Sequence, residues 1–395
     1  MIAGSDSAAS AGRAVNILGV YSYSDAYPNT KFVIDLIRNT RGLAIREICK
    51  PLLPKQLHFH QYAARSGGVF RKVRMAARTV YCHLSVVIRY WIRGREQIVY
   101  APYPAVGVLA IFSCLPRFLR PERLVAEAFL SIYDMAVVDR KLLSASSLSA
   151  RLLKWVERRA YNTATVSTVD TEENRVYYAT LFDLPVTKFA VVPLATDETV
   201  FKHSPYVGDV HSCHVLFVGT FGPLQGTDTI AKAIIALDSR RDIRITVVGS
   251  GQMAPAFSEI LGNNSHHNLN WITDWQDSIS VAEMVGSADL CLGIFSSGSK
   301  ADRVWPFKNY AYMACGRPII TGDTACARRM LAEGDGGAFV TVRTDDPQAL
   351  ADKIAELADS VDARRHLASQ ARDYYQKFLA NETISVRLID QLLIN

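Results

Sequence analysis

The stretch that decides the fold lies in the second half of the chain. It runs VLFVGTFGPLQGTDTIAKAIIAL (215–237), IRITVVGSGQM (243–253) and ADLCLGIFSSGSKADRVWPFKNYAYMACGRPIITG (288–322). Each apolar run is short, is rich in β-branched residues, stops at glycine or serine and leads into a helical pattern. This alternation predicts a parallel, doubly wound sheet, whose ligands bind in the loops after the strands. Those loops are Thr220–Gly226, Ser250–Met253 and Ser296–Lys308.

The order and content of these loops resemble the carboxyl-terminal half of retaining glycosyltransferases of the GT-B fold, family GT4, which build bacterial polysaccharides and glycolipids. The resemblance covers nearly the whole chain. It implies an α/β protein of two Rossmann-like, doubly wound parallel-sheet domains that face a cleft. The acceptor-side domain would comprise residues 1–195, with a helix at 376–395 crossing back onto it. The donor-binding domain would comprise residues 196–375.

Composition agrees with a globular protein of two domains, because 395 residues with 49% hydrophobic content can form two cores. The seven cysteines are scattered without a CxxC pair, which favours buried free thiols in a reducing compartment. No signal peptide is recognised. The longest uncharged run, 99–115, is split by Pro102 and Pro104. We interpret it as a strand, a loop and a buried helix in preference to a membrane span.

Charge is distributed unevenly along the chain. Residues 1–195 hold 26 Lys and Arg against 14 Asp and Glu, a net of +12, whereas residues 196–395 carry a net of −6. Residues 55–95 combine nine Lys and Arg with interleaved aromatic residues and no acidic residue. This pattern suits an anionic membrane surface; the alternatives are a solvated helical face or RNA binding, although no RNA-binding module is recognised. We therefore expect a cytoplasmic protein held peripherally on the inner face of the cell membrane, without a nucleic-acid partner.

Candidate acceptor-side residues follow the first predicted strand, at 15–21. The loop after it, SYSDAYPNT (22–30), ends with Asn29 and Thr30, and Lys31 opens the predicted helix KFVIDLIRNT. In the GT-B resemblance this loop faces the cleft. The alternative is an ordinary turn with a helix cap. We expect these three residues to contact the acceptor side of the site.

Candidate catalytic carboxylates lie in RLVAEAFLSIYDMAVVDRKLL, at 123–143. This stretch predicts a strand and then a polar turn into a helix, and it resembles the family segment that carries reaction-centre residues. Asp134, Glu127 and Asp139 could each accept the proton of an acceptor hydroxyl. For any one of them the alternative is a helix cap or an ion pair. Many relatives place a histidine near this point, whereas this chain has none between residues 84 and 202.

The first donor loop has glycines where the family has them, at Gly219, Gly222 and Gly226, with Thr220 beside the first. The resemblance implies that these glycines let the backbone approach the donor and that a basic pair grips its diphosphate. The pair is missing here, because Gln225 stands where lysine is common and the loop has no arginine. Losing two charge-assisted hydrogen bonds of roughly 1.5–3 kcal/mol each would cripple donor binding unless other residues replaced them.

A replacement is available between residues 296 and 308. A related subgroup carries a lysine–alanine pair and then proline-x-lysine, which KA at Lys300 and PFK ending at Lys308 match. We predict that Lys300 and Lys308, supported by Arg303, bind the donor diphosphate with the amides of the helix that begins near Pro306. Solvated surface lysines are the alternative.

Other donor positions fit the family less closely. Most members have two glutamates eight residues apart, for the donor sugar and the ribose, and Arg303 and Ala311 occupy those positions here. Gly249 opens GSGQMA, a loose match to the dinucleotide fingerprint, which we interpret as a strand-to-helix turn near the donor. Thr273, and Trp275 after it, lie where the family contacts the nucleotide base.

Together these features predict a retaining, metal-independent hexosyltransferase-type enzyme. It would move a sugar from a nucleotide-sugar, which is a substrate and not a cofactor, to a lipid-linked or nascent saccharide in exopolysaccharide or glycolipid synthesis. No metal is expected, because the sequence has neither a D-x-D motif nor a His/Cys cluster of ligand spacing. Two alternatives stay open: a sugar-nucleotide epimerase of the same fold, and a non-catalytic glycosyltransferase-like subunit that binds a partner enzyme.

Overall fold

The computed structural model of the chain describes residues 13–20, 28–52, 69–262, 265–334 and 336–393. The described residues form two compact units. Unit 1 contains the residues up to 170, residues 174–193 and the residues from 385 on, and unit 2 contains residues 171–173 and 194–384. Loop positions 21–27 and positions 55–68 of the basic region lie outside the described residues.

The first half of the chain alternates strands and helices. In order these are β1 (Arg13–Gly19), α1 (Pro28–Asn39), β2 (Leu43–Cys49), α2 (Val69–Ile92), β3 (Ile98–Ala101), α3 (Val106–Ser113), β4 (Arg123–Glu127), α4 (Leu148–Thr163), β5 (Val166–Val169), α5 (Glu172–Phe182) and β6 (Phe189–Val191). Single turns of 3-10 helix occur at Arg117–Leu119 and Val186–Lys188, and a π-helical turn at Asp134–Asp139. The strands pair in parallel in the order β2-β1-β3-β4-β5-β6.

The second half repeats the alternation. Its elements are β7 (Cys213–Val218), α6 (Thr227–Ala236), β8 (Ile243–Val248), α7 (Ala254–Leu261), β9 (Leu269–Ile272), α8 (Ser278–Ser287), β10 (Leu290–Leu292), α9 (Ser299–Arg303), α10 (Phe307–Ala314), β11 (Ile319–Gly322), α11 (Ala325–Glu333), β12 (Val340–Val342), α12 (Pro347–Ala358), α13 (Val361–Tyr374) and α14 (Asn381–Leu393). A 3-10 turn lies at Pro223–Gln225 and a π-helical turn at Tyr375–Leu379. The strand order is β12-β11-β10-β7-β8-β9, again all parallel.

Strand register explains why these apolar runs form a core. Val215 of β7 is paired with Leu290 of β10 and Ile245 of β8, so the three side chains lie on one face of the sheet. Phe217, two residues further on, faces the same side, and all four belong to one buried apolar cluster. Each unit thus has a six-stranded parallel sheet among its described residues, and the predicted α/β, doubly wound class is confirmed.

Two features bear on the predicted organisation. Residues 385–393 of α14 group with unit 1, where Leu388 and Leu392 are buried and Arg123 donates from Nε and Nη2 to the Gln391 carbonyl oxygen at 2.9 and 2.5 Å. Residues 376–384 group with unit 2. The uncharged run 99–115 forms β3 and α3, as interpreted from its prolines. Among the described helices none is long and apolar enough to cross a membrane.

Candidate active site

The strand order of unit 2 marks a point where a ligand can bind. From β7 the chain builds outward through β8 and β9 on one side, and then through β10, β11 and β12 on the other. The connections therefore diverge between β7 and β10, and open α/β sheets bind their ligands in a crevice at the carboxyl ends of two such strands. The first and third predicted donor loops follow these two strands, and the second follows β8.

Gln225 shapes the first donor loop. Its side-chain oxygen Oε1 accepts a hydrogen bond from the backbone N–H of Phe221 at 3.1 Å. A Cβ added at Gly219 would lie 2.2 Å from the same Oε1, so only glycine leaves room for this contact. The residue that occupies the usual lysine position therefore holds the loop backbone.

Gly226 joins the first loop to the loop after β10. It has a left-handed φ of 64°, and an added Cβ would lie 2.5 Å from the backbone nitrogen of Ser296. The Phe295 N–H also donates to the Gln225 carbonyl oxygen at 3.1 Å. Gly222 differs from Gly226, because a Cβ there would meet nothing within 4 Å. The close approach of the two loop backbones thus requires glycine at position 226, whereas packing does not explain the glycine at position 222.

Gly249 packs the second loop against the first. Its φ is 122°, and a Cβ would lie 1.8 Å from the Gly219 carbonyl oxygen. Trp271 of β9 donates from Nε1 to the Gly249 carbonyl oxygen at 3.0 Å, and its ring stacks on that of Phe221 at 5.8 Å between centroids. Gly219 and Gly249, both predicted as donor residues, are therefore in contact. Thr273 lies exposed just after β9.

Lys300 and Arg303 lie on the short helix α9, within what the sequence predicts as a loop. Arg303 is buried, and its Nε donates to the Ser299 carbonyl oxygen at 2.8 Å. Lys300 is partly exposed. Ala311, at the second glutamate position of the family, is buried in α10. The Arg303 guanidinium is thus partly engaged by its own helix.

Lys308 lies in the first turn of α10 and reaches back to β7. Its stem is partly exposed, but Nζ is buried 3.6 Å from the centroid of the Phe217 ring and has no hydrogen-bond acceptor among the described residues. Burial lowers the pKa of this ammonium well below its usual value. The cation–π contact with Phe217 offsets only part of the desolvation.

Two buried polar side chains that the sequence analysis did not single out lie around the same crevice. Both amide atoms of Asn309 and the hydroxyl of Thr227 are buried without a partner among the described residues. A Cβ at Gly293, the residue after β10, would lie 3.2 Å from Asn309 Nδ2. Thr227 opens α6 directly after Gly226. Because buried polar groups are normally hydrogen-bonded, these groups and Lys308 suit a polar ligand at the ends of β7 and β10.

A second cluster forms in unit 1 around Glu127, the last residue of β4. Its carboxylate accepts from Asn29 Nδ2 at 2.5 Å, from Thr30 Oγ1 at 3.3 Å and from the Tyr103 N–H at 2.9 Å. Burial raises the pKa of Glu127 to about 7, although these hydrogen bonds act in the opposite direction. The Tyr100 hydroxyl is buried close by without a hydrogen bond of standard geometry, and burial raises its pKa well above the usual value.

The structure thus brings Asn29, Thr30 and Glu127 together, but Asn29 and Thr30 lie in a helix and not in the loop that the sequence predicts. Helix α1 begins at Pro28, so Asn29, Thr30 and Lys31 occupy its first turn, where proline is favoured. Asn29 and Thr30 are buried and hydrogen-bond Glu127. Lys31 is exposed, with Nζ 5.9 Å from the ring centroid of Phe32.

The other two candidate carboxylates lie at the ends of the π-helical turn 134–139. Asp134 is buried and accepts from the Tyr177 hydroxyl at 2.9 Å, while its own N–H donates to Ser131 Oγ at 3.0 Å. Asp139 is partly buried at the end of the turn. The hydrogen-bond partners of Asp134, Tyr177 and Ser131, differ from those of Glu127, so these two carboxylates occupy different hydrogen-bonding environments.

Glu157 of α4 holds the segment before that turn. Its carboxylate is buried and accepts from Ser131 Oγ at 2.9 Å and from the N–H groups of Ile132 and Tyr133 at 2.9 and 2.8 Å. Burial raises its pKa, against these hydrogen bonds. The sequence offered one signal, because Glu157 is the only acidic residue in a basic helix, but that signal does not reveal its partners.

Solved structures of similar shape define the class of fold. Anabaena Alr3699/HepE in complex with UDP superimposes with a TM-score of 0.64 at 14% identity, over 96% of this chain and 99% of that one. The lipopolysaccharide-biosynthesis glycosyltransferase WaaG gives 0.61 at 14% identity, over 97% and 100% of the two chains. Sucrose-phosphate synthase from Thermosynechococcus elongatus gives 0.68 at 14% identity, over 95% and 97%. The GT-B fold predicted from the sequence is confirmed.

A family match gives a second, independent comparison. Residues 212–360 match the family described as Glycosyl transferases group 1. The matched span lies wholly within unit 2 and contains the crevice between β7 and β10. No curated protein sequence matches the chain significantly. The similarity to group 1 glycosyl transferases thus falls on the unit whose loops the sequence predicts to bind the donor.

Proposed function

We propose that the protein is a GT4-type retaining glycosyltransferase that takes its sugar from a nucleotide-sugar bound in unit 2. The observation that carries this proposal is the set of unpartnered polar groups, Lys308, Asn309 and Thr227, at the ends of β7 and β10 within the group 1 domain. An ammonium, an amide and a hydroxyl are suitable partners for the phosphates and hydroxyls of such a donor. The crystallised HepE complexes contain UDP and UDP-glucose, which supports a donor of this kind.

The diphosphate is the leaving group of the reaction, and its developing charge requires stabilisation. An opposite charge close by favours the charged form of a lysine, so a bound diphosphate would restore the ammonium of Lys308, which supplies positive charge together with Lys300 nearby along the chain. The N–H groups in the first turn of α10 add their dipoles. These groups replace the basic pair that the first loop lacks. No protein nucleophile is assigned, and metal independence remains a prediction.

Glu127 is the proposed acceptor-side proton acceptor. With a pKa of about 7 it can change protonation state near neutral pH. Asn29, Thr30 and the Tyr103 N–H fix the orientation of its carboxylate. Asp134 and Asp139 are the alternative candidates, and the leaving phosphate oxygen is a further acceptor for the same proton.

The acceptor is proposed to be lipid-linked or a nascent saccharide in exopolysaccharide or glycolipid synthesis, and the protein to act peripherally on the cytoplasmic face of a membrane. Within the basic region the described part of α2 exposes Val80, Leu84, Ile88 and Ile92, which recur every four residues along one side. The exposed Arg89 and Arg93 directly follow Ile88 and Ile92 in the sequence, and apolar side chains together with basic ones suit an anionic bilayer. WaaG, involved in lipopolysaccharide biosynthesis, offers a precedent for such an acceptor.

Donor binding is the first experiment. UDP-, GDP-, dTDP- and ADP-sugars are titrated against the purified protein by ligand-observed NMR, with the Lys308→Met variant beside it. Lys232→Met is the matched control, because Lys232 is exposed on α6 of the same unit. We expect one donor to bind to wild type and to the control but at least tenfold more weakly to Lys308→Met.

The outcome also separates the alternatives. Absence of donor binding by well-folded protein would favour a non-catalytic subunit and contradict the proposal. Binding followed by epimerisation of the sugar, without an acceptor, would identify an epimerase. Equal binding by Lys308→Met would remove Lys308 from the site.

A further inference from the structure

Three exposed apolar side chains of unit 1 lie on separate elements outside the candidate active site. Ile92 ends α2, Phe118 lies in the 3-10 turn after α3, and Trp155 lies on α4. Their exposed fractions are 77%, 75% and 54%. Large apolar side chains on three neighbouring elements indicate an interaction surface if the elements are held together.

Hydrogen bonds through the segment 113–120 hold these elements together. Arg95, just after α2, donates from Nη2 to the Phe118 carbonyl oxygen at 2.7 Å. Trp91 donates from Nε1 to the Leu119 carbonyl oxygen at 3.2 Å. From the other side Arg159 of α4 donates to the Ser113 carbonyl oxygen at 3.1 Å. The segment is thus attached to both α2 and α4.

The arginines also surround the apolar groups. The Arg159 guanidinium carbon lies 5.1 Å from the centroid of the Trp155 ring. Arg117 is exposed and precedes Phe118. We define the arginine–aromatic patch as six residues of unit 1: Ile92, Phe118, Trp155, Arg95, Arg117 and Arg159.

Charge selects the partner of this patch. The segments 69–121 and 141–169 contain 14 Lys and Arg but only two acidic residues, Glu96 and Glu157. Glu96 pairs with Arg46 at 3.1 Å, and Glu157 is buried with its hydrogen bonds satisfied. Just outside the two segments, Glu122 accepts a hydrogen bond from Gln97 at 3.1 Å and Asp183 pairs with Arg158 at 2.9 Å. Within the part of the chain that the structure describes, none of these four carboxylates pairs with Arg95, Arg117 or Arg159. Exposed aromatic and aliphatic side chains inside a basic surface are typical of proteins that bind anionic bilayers.

We propose that the arginine–aromatic patch docks on an anionic lipid bilayer, with Phe118 and Trp155 entering the interfacial region and the arginines contacting lipid phosphates. This inference deepens the proposed membrane acceptor and rests on it, but adds α4 and the segment 113–120, which the basic region 55–95 does not include. Docking through this face fixes the orientation of unit 1 on the bilayer, beyond simple attraction to it.

Vesicle co-sedimentation tests the inference. The full chain is mixed with phosphatidylcholine vesicles that contain or lack phosphatidylglycerol. We expect wild type to bind only the anionic vesicles, and Phe118→Ser and Trp155→Ser to lower the partition coefficient at least tenfold each. Ile279→Ser is the matched control, because the exposed fraction of Ile279 on α8 of unit 2, 63%, lies between those of Phe118 and Trp155; it should bind as wild type does. Arg117→Glu should weaken binding to the anionic vesicles only.

Insertion is tested separately with brominated lipids, which quench tryptophan fluorescence within the bilayer. Quenching in wild type should be largely lost in Trp155→Phe. Sedimentation of Phe118→Ser and Trp155→Ser at the wild-type level would overturn the proposal, as would absence of wild-type binding. Capture of an acidic protein in place of vesicles would also overturn it and assign the patch to a protein partner.

Donor titration without lipid distinguishes the two failures. Donor binding without vesicle binding would support the proposed function and contradict membrane docking through the patch. Vesicle binding without donor binding would support docking through the patch and contradict the proposed function. The patch variants lie outside unit 2, so we expect their donor affinity to equal that of wild type.

Discussion

Glu127 and Lys308 are both ionisable groups that burial shifts toward the neutral form. Glu127 is held by donors from α1 and from the segment after β3, whereas Lys308 Nζ has only an aromatic ring beside it. Keeping such groups buried costs free energy of folding, and we propose that function is the reason for their retention. Their chemistry can therefore be tested one residue at a time.

Glu127→Gln tests the proton acceptor. Wild-type Glu127 loses its proton as pH rises through about 7, so the rate of donor turnover should rise with pH and level off above that value. The substitution should lower the rate about 10²–10⁴-fold and remove this pH dependence. Initial rates from pH 5 to 9, with folding checked by circular dichroism, provide the measurement. Glu122→Gln is the control, because Glu122 is exposed. An unchanged pH–rate profile in Glu127→Gln would mean that another group accepts the proton.

Lys308→Met tests whether function or stability keeps the buried ammonium. Because the folded-state pKa is lowered, the unfolded chain binds the proton more tightly, and stability rises with pH between the lowered pKa and the usual value of about 10.4. Methionine removes this cost, so the variant should unfold at a higher temperature and show less pH dependence while it loses donor affinity. Thermal unfolding at pH 6 to 10 measures this, with Lys232→Met as control. A destabilised Lys308→Met would mean that the contact with Phe217 is structural.

The predicted donor loops follow three different strands and pack against one another through their backbones. The loops after β7, β8 and β10 touch through backbone atoms at Gly219, Gly226 and Gly249, and Gln225 fixes the first of them. Such contacts depend on the absence of a Cβ, so a single methyl group is a sharp probe.

Gly249→Ala should disrupt the packing of the loops, because its Cβ would lie 1.8 Å from a backbone oxygen at a φ of 122°. We expect a loss of about 3 kcal/mol in the free energy of unfolding, and weaker donor binding in the folded fraction. Urea unfolding and NMR titration measure the two effects. Gly286→Ala is the control, since a Cβ there meets nothing within 4 Å. Equal stability of both variants would contradict the close approach.

The sequence predicted the elements well where their pattern is local. The apolar, β-branched runs at 215–218 and 243–248 become buried strands, and Gly219 and Gly249 lie at their ends, where backbones meet. Side-chain environments were less predictable. The hydrogen bond between Asn29 and Glu127 joins residues 98 positions apart, and the burial of Lys308 depends on Phe217 from another strand. No local pattern encodes these pairings.

At the scale of the whole molecule, charge separates the two halves of the chain, with +12 on residues 1–195 and −6 on residues 196–395. Cationic attraction to a bilayer acts over the Debye length, which falls from about 10 Å at 0.1 M salt to about 3 Å at 1 M. Binding to anionic vesicles should therefore fall steeply across that range, as co-sedimentation at increasing NaCl will show. The Phe118→Ser variant should show the same salt dependence from a lower starting level. Salt-independent binding would mean that apolar contacts alone hold the protein.

Helix α14 has a consequence for how the protein is made. Leu388 and Leu392 and the Gln391 carbonyl that Arg123 binds all belong to unit 1, yet they are synthesised after the whole of unit 2. Domains usually fold in the order in which the ribosome produces them. Here the domain that emerges first cannot be completed until residues 385–393 have been translated. The nascent chain therefore carries a unit 1 that lacks this helix throughout synthesis of unit 2, and a ribosome that stops before residue 385 releases a protein in which the contacts of Leu388, Leu392 and Gln391 are missing.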